Sequence, residues 1–276
     1  MIIDTHAHLN FNVFKDDVDQ VIRRSLDKGL WIINVGSQYS TSKRAVEIAE
    51  NYDKGVYAAI GLHPINLETD LVKIKVDPKE IQFQPKEKDF DYKKYKELAQ
   101  SPKVVAIGEI GLDYYWKPKT KARLNLFKEK QKELLLKQLE MARELNLPVI
   151  FHSRMAHKDL AEVLKSQTQN EGVMHSFVGT PEQLQEYLKM GFYIGFNGII
   201  FKTIQGIDFK ENIKNAPLEK ILIETDCPYL TPPQMEGRNE PLYVKYVAQR
   251  IAEIKSISYE KVIEATSQNA KDLFGI

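Results

Sequence analysis

Short apolar stretches alternate with longer amphipathic stretches along nearly the whole chain. Apolar runs of three to nine residues predict strands, and apolar residues at every third or fourth position predict helices. The predicted strands span residues 1–9, 31–35, 56–62, 104–108, 148–151, 172–174, 192–196 and 221–224. The predicted helices span residues 17–28, 41–52, 92–100, 120–145, 158–166, 181–189, 209–215, 243–254 and 259–274.

This alternation is typical of parallel βαβ units. Eight strands, each followed by helical sequence, in a chain of 276 residues predict a single (β/α)8 TIM barrel domain over residues 1–276. In such a barrel the active site lies at the C-terminal ends of the strands. A Lys-rich insertion at about residues 65–90 interrupts the alternation, and its weak apolar pattern leaves a small hairpin open. A solvated face and a nucleic-acid contact are both open interpretations of this insertion.

The composition is that of an ordinary globular protein, with 43% hydrophobic and 28% charged residues and a net charge of +1. This balance argues against a strongly basic nucleic-acid binder but not against a local basic patch. Cys227 is the only cysteine, so an intrachain disulfide is excluded. We find neither a signal-peptide pattern nor an apolar run of about 18 residues, which a membrane span needs. The sequence therefore predicts a soluble, cytoplasmic protein with no membrane partner, and it does not indicate an oligomer.

The first strand carries a polar row made of Asp4, His6 and His8. Side chains alternate between the two faces of a strand, so these three should point the same way. Imidazole is a common ligand of borderline divalent metals, and two imidazoles two residues apart can chelate one ion. Taken alone, the row is equally compatible with a polar face turned to solvent.

Polar residues also recur where the predicted strands end. Because all strand C-termini of a TIM barrel open on one face, these side chains should meet in one cup. Five of the six histidines lie at such strand ends if His6 is counted with His8 on the first strand, and His157 lies where a loop leads into a helix. The strand-end residues are His8, His63, Glu109, His152, His175 and Asp226.

The number of ligands in this cup predicts two metal ions. Six candidate ligands are too many for one four-coordinate ion with an open position, but they suit two divalent ions about 4 Å apart. We expect Glu109 to bridge the ions, because it comes from the middle of the strand order. The six are His6, His8, Glu109, His152, His175 and Asp226.

Neighbouring strands should share an ion. Strand eight closes against strand one, so His6, His8 and Asp226 should hold one ion, and His152 with His175 the other. Two divalent ions and two carboxylates leave about two positive charges, which suits an anionic phosphodiester. We expect hydrolysis by an activated water with Asp226 as base, while the ions stabilise the developing charge. Nitrogen-rich ligation favours Zn or Mn.

Seven motifs in this order resemble the TatD family of metal-dependent deoxyribonucleases, within the amidohydrolase-like barrels. The resemblance covers the whole chain, and the third motif is the most specific. The insertion at residues 65–90 is longer than this family usually has. The motifs are Asp4-Thr5-His6-Ala7-His8-Leu9, Gly61-Leu62-His63-Pro64, Gly108-Glu109-Ile110-Gly111-Leu112-Asp113-Tyr114-Tyr115, His152-Ser153-Arg154, His175-Ser176-Phe177-x-Gly179, Glu224-Thr225-Asp226-Cys227-Pro228-Tyr229-Leu230 and Arg238-Asn239-Glu240-Pro241.

The resemblance implies a TIM-type barrel that hydrolyses DNA, chiefly as a 3′-to-5′ exonuclease on single strands or 3′ ends. It also implies metal ligands at the six positions above, with Mg as a further usable ion beside Mn and Zn. Some relatives are proposed to act on RNA or aminoacyl-tRNA, and that alternative stays open here.

Several further residues are candidates for the site. Asp4 and Glu224 are candidates to orient metal-bound imidazoles, or else to hold the barrel rim. His63 is a candidate catalytic residue that, with Arg154, contacts the scissile phosphate, and Arg238 is a similar candidate on the last loop. Tyr114 and Tyr115 are candidates to stack on a terminal base, although aromatic residues after a strand often serve packing instead. Asp113 is interpreted as a loop cap.

Two rival functions remain. The first is another amidohydrolase-type enzyme, which would act on an amide, lactone or phosphotriester. Enzymes of that type with two metal ions often bridge the ions with a carbamylated lysine, and this chain has Glu109 at that position, which argues against them. A non-catalytic barrel that serves as a binding partner would tolerate the loss of ligands, yet every ligand is present.

Overall fold

The computed structural model describes residues 1–72, 87–167 and 171–276. Its eight strands are all parallel and lie in the sequential order β1 to β8, which confirms the predicted barrel. The strands are β1 (Ile2–Ala7), β2 (Leu30–Val35), β3 (Val56–Ile60), β4 (Val104–Asp113), β5 (Val149–Arg154), β6 (Gly172–Met174), β7 (Tyr193–Phe196) and β8 (Ile221–Ile223).

The helices follow the strands in the predicted order. Thr41 does not begin the second helix, because its hydroxyl accepts the Gln38 N–H at 3.0 Å and thereby caps a helix that starts at Tyr39. The helices are α1 (Val18–Asp27), α2 (Tyr39–Glu50), α3 (Tyr92–Leu98), α4 (Lys121–Leu145), α5 (His157–Ser166), α6 (Pro181–Lys189), α7 (Phe209–Asn215), α8 (Val244–Lys255) and α9 (Tyr259–Phe274).

The barrel closes between the C-terminal end of β1 and the residues that follow β8. Ala7 forms a parallel bridge with Cys227, the His8 N–H donates to the Cys227 carbonyl at 2.8 Å, and the Asp226 N–H donates to the His6 carbonyl at 2.8 Å. This closure places the histidines of β1 beside Asp226, as predicted from the strand order.

The N-terminal end of the barrel is plugged by α9. Its residues Ala270, Leu273 and Phe274 pack in one apolar cluster with residues of β1 to β6 and β8, among them Ile3 and Val105. A second, larger cluster packs the strands against the surrounding helices. Because α9 fills one end, the cup at the strand C-termini opens in one direction only.

Strand β4 is longer than predicted. The expected strand ended at residue 108, but pairing with β5 continues to Asp113, opposite Arg154, after a register shift between Gly108 and Ile110. Gly111 is part of this pairing rather than a stop, since a Cβ at that position would lie 2.0 Å from the His152 carbonyl oxygen. Glu109 therefore lies inside the strand and not at its end.

The predicted insertion is only partly described. Its first residues form a short 3-10 helix, Pro64–Asn66, and Leu67 pairs with Glu87 where the chain returns. The hairpin and the nucleic-acid contact, both left open by the sequence, depend largely on residues 73–86, which lie outside the described residues.

No helix within the described ranges combines the length and the apolar character that crossing a bilayer requires.

Candidate metal centre

The cup at the C-terminal ends of the strands is a cavity of about 1050 Å³. Five of the six predicted metal ligands line it, and the sixth, His6, is fully buried beneath them. Residues from β1, β4, β5 and the loops after β6 and β8 thus meet in one place, although they are up to 220 positions apart in the sequence.

The first group of ligands consists of His6, His8 and Asp226. The Nε2 atoms of His6 and His8 lie 3.2 Å apart, and Asp226 Oδ1 lies 3.3 Å from His8 Nε2 and 3.9 Å from His6 Nε2. His8 Nδ1 is 2.8 Å from the Val35 carbonyl, which can only accept, so neutral His8 carries its proton on Nδ1. Its Nε2 therefore presents a lone pair to the cup.

The second group contains His152 and His175, which face Glu109. His152 Nδ1 lies 2.6 Å from Glu109 Oε1, and His175 Nε2 lies 3.6 Å from the same oxygen. The rings of His175 and His6 are stacked with centroids 3.6 Å apart, so the two groups of ligands touch.

Glu109 lies between the two groups and presents one oxygen to each. Its Oε2 is 3.6 Å from His6 Nε2, whereas its Oε1 faces His152 and His175. Glu109 is only 5% exposed, so its carboxylate is almost entirely enclosed by the other side chains of the cup. This is the arrangement that a carboxylate bridging two ions requires.

Both ligand carboxylates favour the ionised form. Burial raises the pKa of Glu109, but the imidazoles of His63, His152 and His175 outweigh this effect and hold the pKa well below its ordinary value. Burial likewise raises the pKa of Asp226, while His8 and His175 bring it below normal. Each carboxylate is thus available as an anionic ligand or proton acceptor.

The imidazoles of His152 and His175 favour the protonated form. Burial lowers both pKa values, but Glu109 and Asp113 raise that of His152 to about 9, and Glu224 and Glu109 raise that of His175 to about 10. The carboxylates of the cup therefore favour positive charge beside them. In the metal-free protein this charge comes from the protons on His152 and His175. A bound divalent ion would displace those protons, because metal ligation requires neutral imidazole.

The donors match the requirements of divalent metal binding. Two nitrogen ligands about 2.1 Å from a shared tetrahedral ion lie about 3.4 Å apart, close to the 3.2 Å between His6 Nε2 and His8 Nε2. Further groups whose ligand atoms converge are Glu109 with His152 and His175, and His63 with Asp113 and His152.

Asp113 is a site residue that the sequence analysis did not identify. It caps the following loop as expected, since its Oδ1 accepts the Tyr115 N–H at 2.9 Å, but its Oδ2 also lies 3.2 Å from His152 Nε2. The signal for this role was the spacing Glu109, Gly111, Asp113 on one face of a longer strand.

Glu224 and Asp4 differ in what they contact. Glu224 Oε1 lies 2.7 Å from His175 Nδ1 and accepts the Ser176 N–H at 2.7 Å, so this buried carboxylate is well placed to orient the imidazole. Asp4 accepts both the backbone N–H and the hydroxyl of Thr225, at 2.9 and 2.5 Å, and therefore ties β1 to the loop after β8. Of its two predicted roles, this geometry supports the structural one.

Counting these extra carboxylates changes the predicted charge. Asp113 and Glu224 add two negative charges directly behind the imidazoles. With two divalent ions the buried centre would be about neutral rather than about +2. Attraction of an anionic ligand would then depend on cations at the mouth of the cup.

His63 presents a hydrogen-bond donor, rather than a lone pair, to the metal centre. The Ile65 N–H donates to His63 Nδ1 at 3.1 Å, so the neutral ring carries its proton on Nε2. Burial and the nearby His152 lower the pKa of His63, which keeps it neutral. Its Nε2–H lies 3.6 Å from Glu109 Oε1, where it can donate to a substrate oxygen.

Arg154 and Tyr115 form part of the cup's exposed wall. The Arg154 guanidinium lies 3.7 Å from the centre of the Tyr115 ring, and 48% of Tyr115 is exposed. Among the described residues no carboxylate pairs with Arg154. A planar cation and an accessible ring thus face the cavity together.

Two predicted substrate-binding residues lie elsewhere. Tyr114 is buried at 4% exposure, and its hydroxyl donates to Asp159 at 3.0 Å, so its ring belongs to the packing between β4 and the helices. Arg238 donates to both Asp17 oxygens and to Glu240, and it covers the Phe14 ring at 4.0 Å. Neither residue lines the cavity, so the structure does not favour the predicted contacts of Tyr114 and Arg238 with substrate.

The comparisons with known proteins agree with this geometry. The family model described as "TatD related DNase" matches residues 3–275. The chain is 41% identical to "Uncharacterized metal-dependent hydrolase YabD" of Bacillus subtilis, over 100% of both proteins. It is 32% identical to "3'-5' ssDNA/RNA exonuclease TatD" of Shigella flexneri, over 100% of this chain and 99% of the relative.

A solved structure shares the same architecture over its full length. The crystal structure of YJJV, a TatD homologue from Escherichia coli K12, is similar with a TM-score of 0.82 at 30% identity. The superposition covers 100% of this chain and 98% of that one.

Proposed function

Because this chain belongs to the TatD-related DNase family of metal-dependent hydrolases, we propose that it hydrolyses phosphodiester bonds at the 3′ ends of single-stranded DNA with two divalent ions, Mg, Mn or Zn. The observation that carries the proposal is the position of Glu109, with one carboxylate oxygen toward each of two groups of ligands. His6, His8 and Asp226 would hold one ion, and His152 and His175 the other.

Ions bound there would supply Lewis-acid activation of water and of a phosphoryl oxygen. Asp226 is suited to accept the proton of the attacking water, because its low pKa keeps it ionised and 16% of its side chain is exposed to the cup. Its neighbours His8 and His175 hold the carboxylate in place, at 3.3 and 4.0 Å.

The remaining residues bind and orient the substrate. The Nε2–H of His63 is a neutral donor suited to a non-bridging phosphate oxygen. Arg154 offers a planar cation at the mouth of the cup, which suits the next phosphate, and Tyr115 offers a ring for a base. Attack at a 3′ end is supported by the similarity to the relative named "3'-5' ssDNA/RNA exonuclease TatD".

The test is a product ladder. Metal-free protein is supplied separately with Mg²⁺, Mn²⁺ or Zn²⁺ and incubated with 5′-labelled single-stranded DNA, duplex DNA and RNA. We expect stepwise shortening of the single-stranded DNA from its 3′ end, and protection when the 3′ terminus is blocked. Efficient cleavage of circular single-stranded DNA, or attack from the 5′ end, would contradict the proposal.

A matched pair of variants assigns the activity to the centre. Glu109→Gln keeps the size of the side chain but removes the bridging charge, and it should abolish cleavage with every metal. Glu129→Gln makes the same change on an exposed position of α4 and should leave the ladder unchanged.

A further inference from the structure

The chain that leaves the cup after β4 begins with aromatic residues and continues with cations. Tyr115 lines the cavity, and its ring meets that of Trp116 edge-on with centroids 5.1 Å apart. Lys117 follows directly, and two peptide units place its Cα within about 7.6 Å of that of Tyr115. The segment before α4 therefore runs outward from the edge of the cup.

This segment is unusually basic for the chain. The sequence contains 39 Lys and Arg residues against 38 Asp and Glu residues, yet no acidic residue lies between Asp113 and Glu129. That interval contains five cations, namely Lys117, Lys119, Lys121, Arg123 and Lys128. Four of them are exposed, and we call the three exposed lysines, Lys117, Lys119 and Lys121, the rim tract.

The lysines of the rim tract have no ion-pair partners within the part of the chain that the structure describes. The two other cations of the interval, Arg123 and Lys128, have partners within the chain. Arg123 donates to the carbonyls of Asp70 and Leu71, at 3.0 and 3.3 Å, and Lys128 pairs with Asp159 at 3.2 Å. Among the described residues, no carboxylate therefore pairs with these three neighbouring positive charges.

The position of these charges is unfavourable for the fold itself. Helices α1, α5, α6, α7 and α9 carry an acidic residue in the first turn, where the helix dipole favours negative charge. Helix α4 instead begins with Lys121 and also carries Arg123 in its first turn, and it has no side-chain cap from Thr120. A cation at the start of α4 weakens the helix slightly, and a bound anion would offset that cost.

We propose that the rim tract binds the sugar-phosphate backbone of the single-stranded nucleic acid outside the cup, on the 5′ side of the nucleotide being removed. The inference rests on the proposed function. Tyr115 and Trp116 would support the bases at the edge, and the lysines would follow the phosphates beyond them, as in other proteins that bind single strands without sequence preference. Long strands would then bind more tightly than dinucleotides.

Binding without cleavage tests the proposal. Metal-free protein in EDTA is titrated with 5′-fluorescein-labelled dT20, and fluorescence anisotropy is measured at several NaCl concentrations. The test variant replaces Lys117, Lys119 and Lys121 by Gln. The control variant replaces three exposed lysines toward the other end of the barrel, Lys28, Lys189 and Lys261, by Gln. Arg123 stays intact because it anchors the loop at residues 70–71.

Each lysine that neutralises a phosphate contributes about 0.7 to the slope of log K against log salt for a single strand. We expect the test variant to lose about 2 units of slope, and its Kd at 0.1 M salt to rise about fivefold for each lost contact. The control variant should behave as the wild type. An unchanged slope in the test variant, an equal loss in the control, or no binding of dT20 by the wild type would overturn the proposal.

A second measurement separates this proposal from the proposed function. With metal, the test variant should cleave the dinucleotide dTpdT at the wild-type rate but show a raised KM for dT20. If the wild type cleaves no oligonucleotide at all, the proposed function fails, while the salt slope in EDTA still decides whether the rim tract binds the strand. A test variant that loses cleavage of dTpdT as well would contradict a role confined to the outer strand.

Discussion

Replacing Glu224 by Gln should weaken metal binding without removing the catalytic groups. Glu224 is fully buried, and its Oε1 contacts His175 Nδ1 at 2.7 Å while it accepts the Ser176 N–H and an Asn197 amide N–H. A glutamine keeps the acceptor for both donors and changes Oε2, which has no hydrogen-bond partner. The substitution therefore removes chiefly the negative charge behind His175.

The size of the effect follows from the role of that charge. Partners that orient a metal-bound imidazole typically contribute about 10- to 100-fold to metal affinity, which corresponds to about 1.4 to 2.7 kcal/mol. We expect the upper part of this range, since His175 and Glu224 are both shielded from solvent and screening is weak. At saturating metal, kcat should stay within about threefold of the wild type, because the ligands and Asp226 remain.

Calorimetric titration of the metal-free protein with Mn²⁺ measures the change directly, and kcat is then measured at saturating Mn²⁺. Asp4→Asn is the matched control: it alters another fully buried carboxylate near the same edge, but one that contacts Thr225 rather than an imidazole. Its metal Kd should not change. The reasoning is refuted if Glu224→Gln binds Mn²⁺ like the wild type, or if Asp4→Asn weakens binding equally.

Three further predictions follow from the geometry. Tyr115→Ala should raise KM for single-stranded DNA about tenfold, because base stacking is lost. Tyr114→Phe should leave KM unchanged and lower the free energy of unfolding by about 1 kcal/mol. Steady-state kinetics measures the first effect, and urea unfolding measures the second. Arg238→Gln should lower the free energy of unfolding by about 1–2 kcal/mol and leave kcat/KM unchanged, because the ion pairs of Arg238 are partly exposed and structural. A loss of activity without a loss of stability would contradict this prediction. In EDTA the pKa values of His152 and His175 are raised to about 9 and 10 in the folded protein, against about 6.5 when unfolded. The stability that their protonation contributes is complete below pH 6.5 and is lost as the pH rises through 9–10; urea unfolding should show this decline in EDTA and a smaller one with saturating Mn²⁺.

The sequence was sufficient to predict the barrel and the convergence of the ligands, since both depend on periodicity and on the strand order. It was insufficient where the pairing of two strands continues past residues that usually end a strand. Gly108 and Gly111 look like the end of a strand, but β4 continues because the backbone of β5 approaches Gly111 too closely for any side chain. Because the predicted strand ended at residue 108, Asp113 was not predicted to lie in the site.

Substrate-binding residues were harder to predict than metal ligands, because neighbours in sequence can face opposite ways. Tyr114 and Tyr115 are adjacent, yet one ring is packed against the helices and the other faces the cavity. Arg238 is the first residue of the last motif, but its position depends on Asp17, which is more than 200 residues away in the sequence. Periodicity alone does not report such long-range ion pairs.

A crystal grown with Mn²⁺ would show through anomalous scattering whether Glu109 bridges two ions. We expect two peaks about 3.5–4 Å apart, one beside each oxygen of Glu109, with His6, His8 and Asp226 at one and His152 and His175 at the other. A single peak, or two peaks that leave Glu109 uncoordinated, would contradict this bridging role.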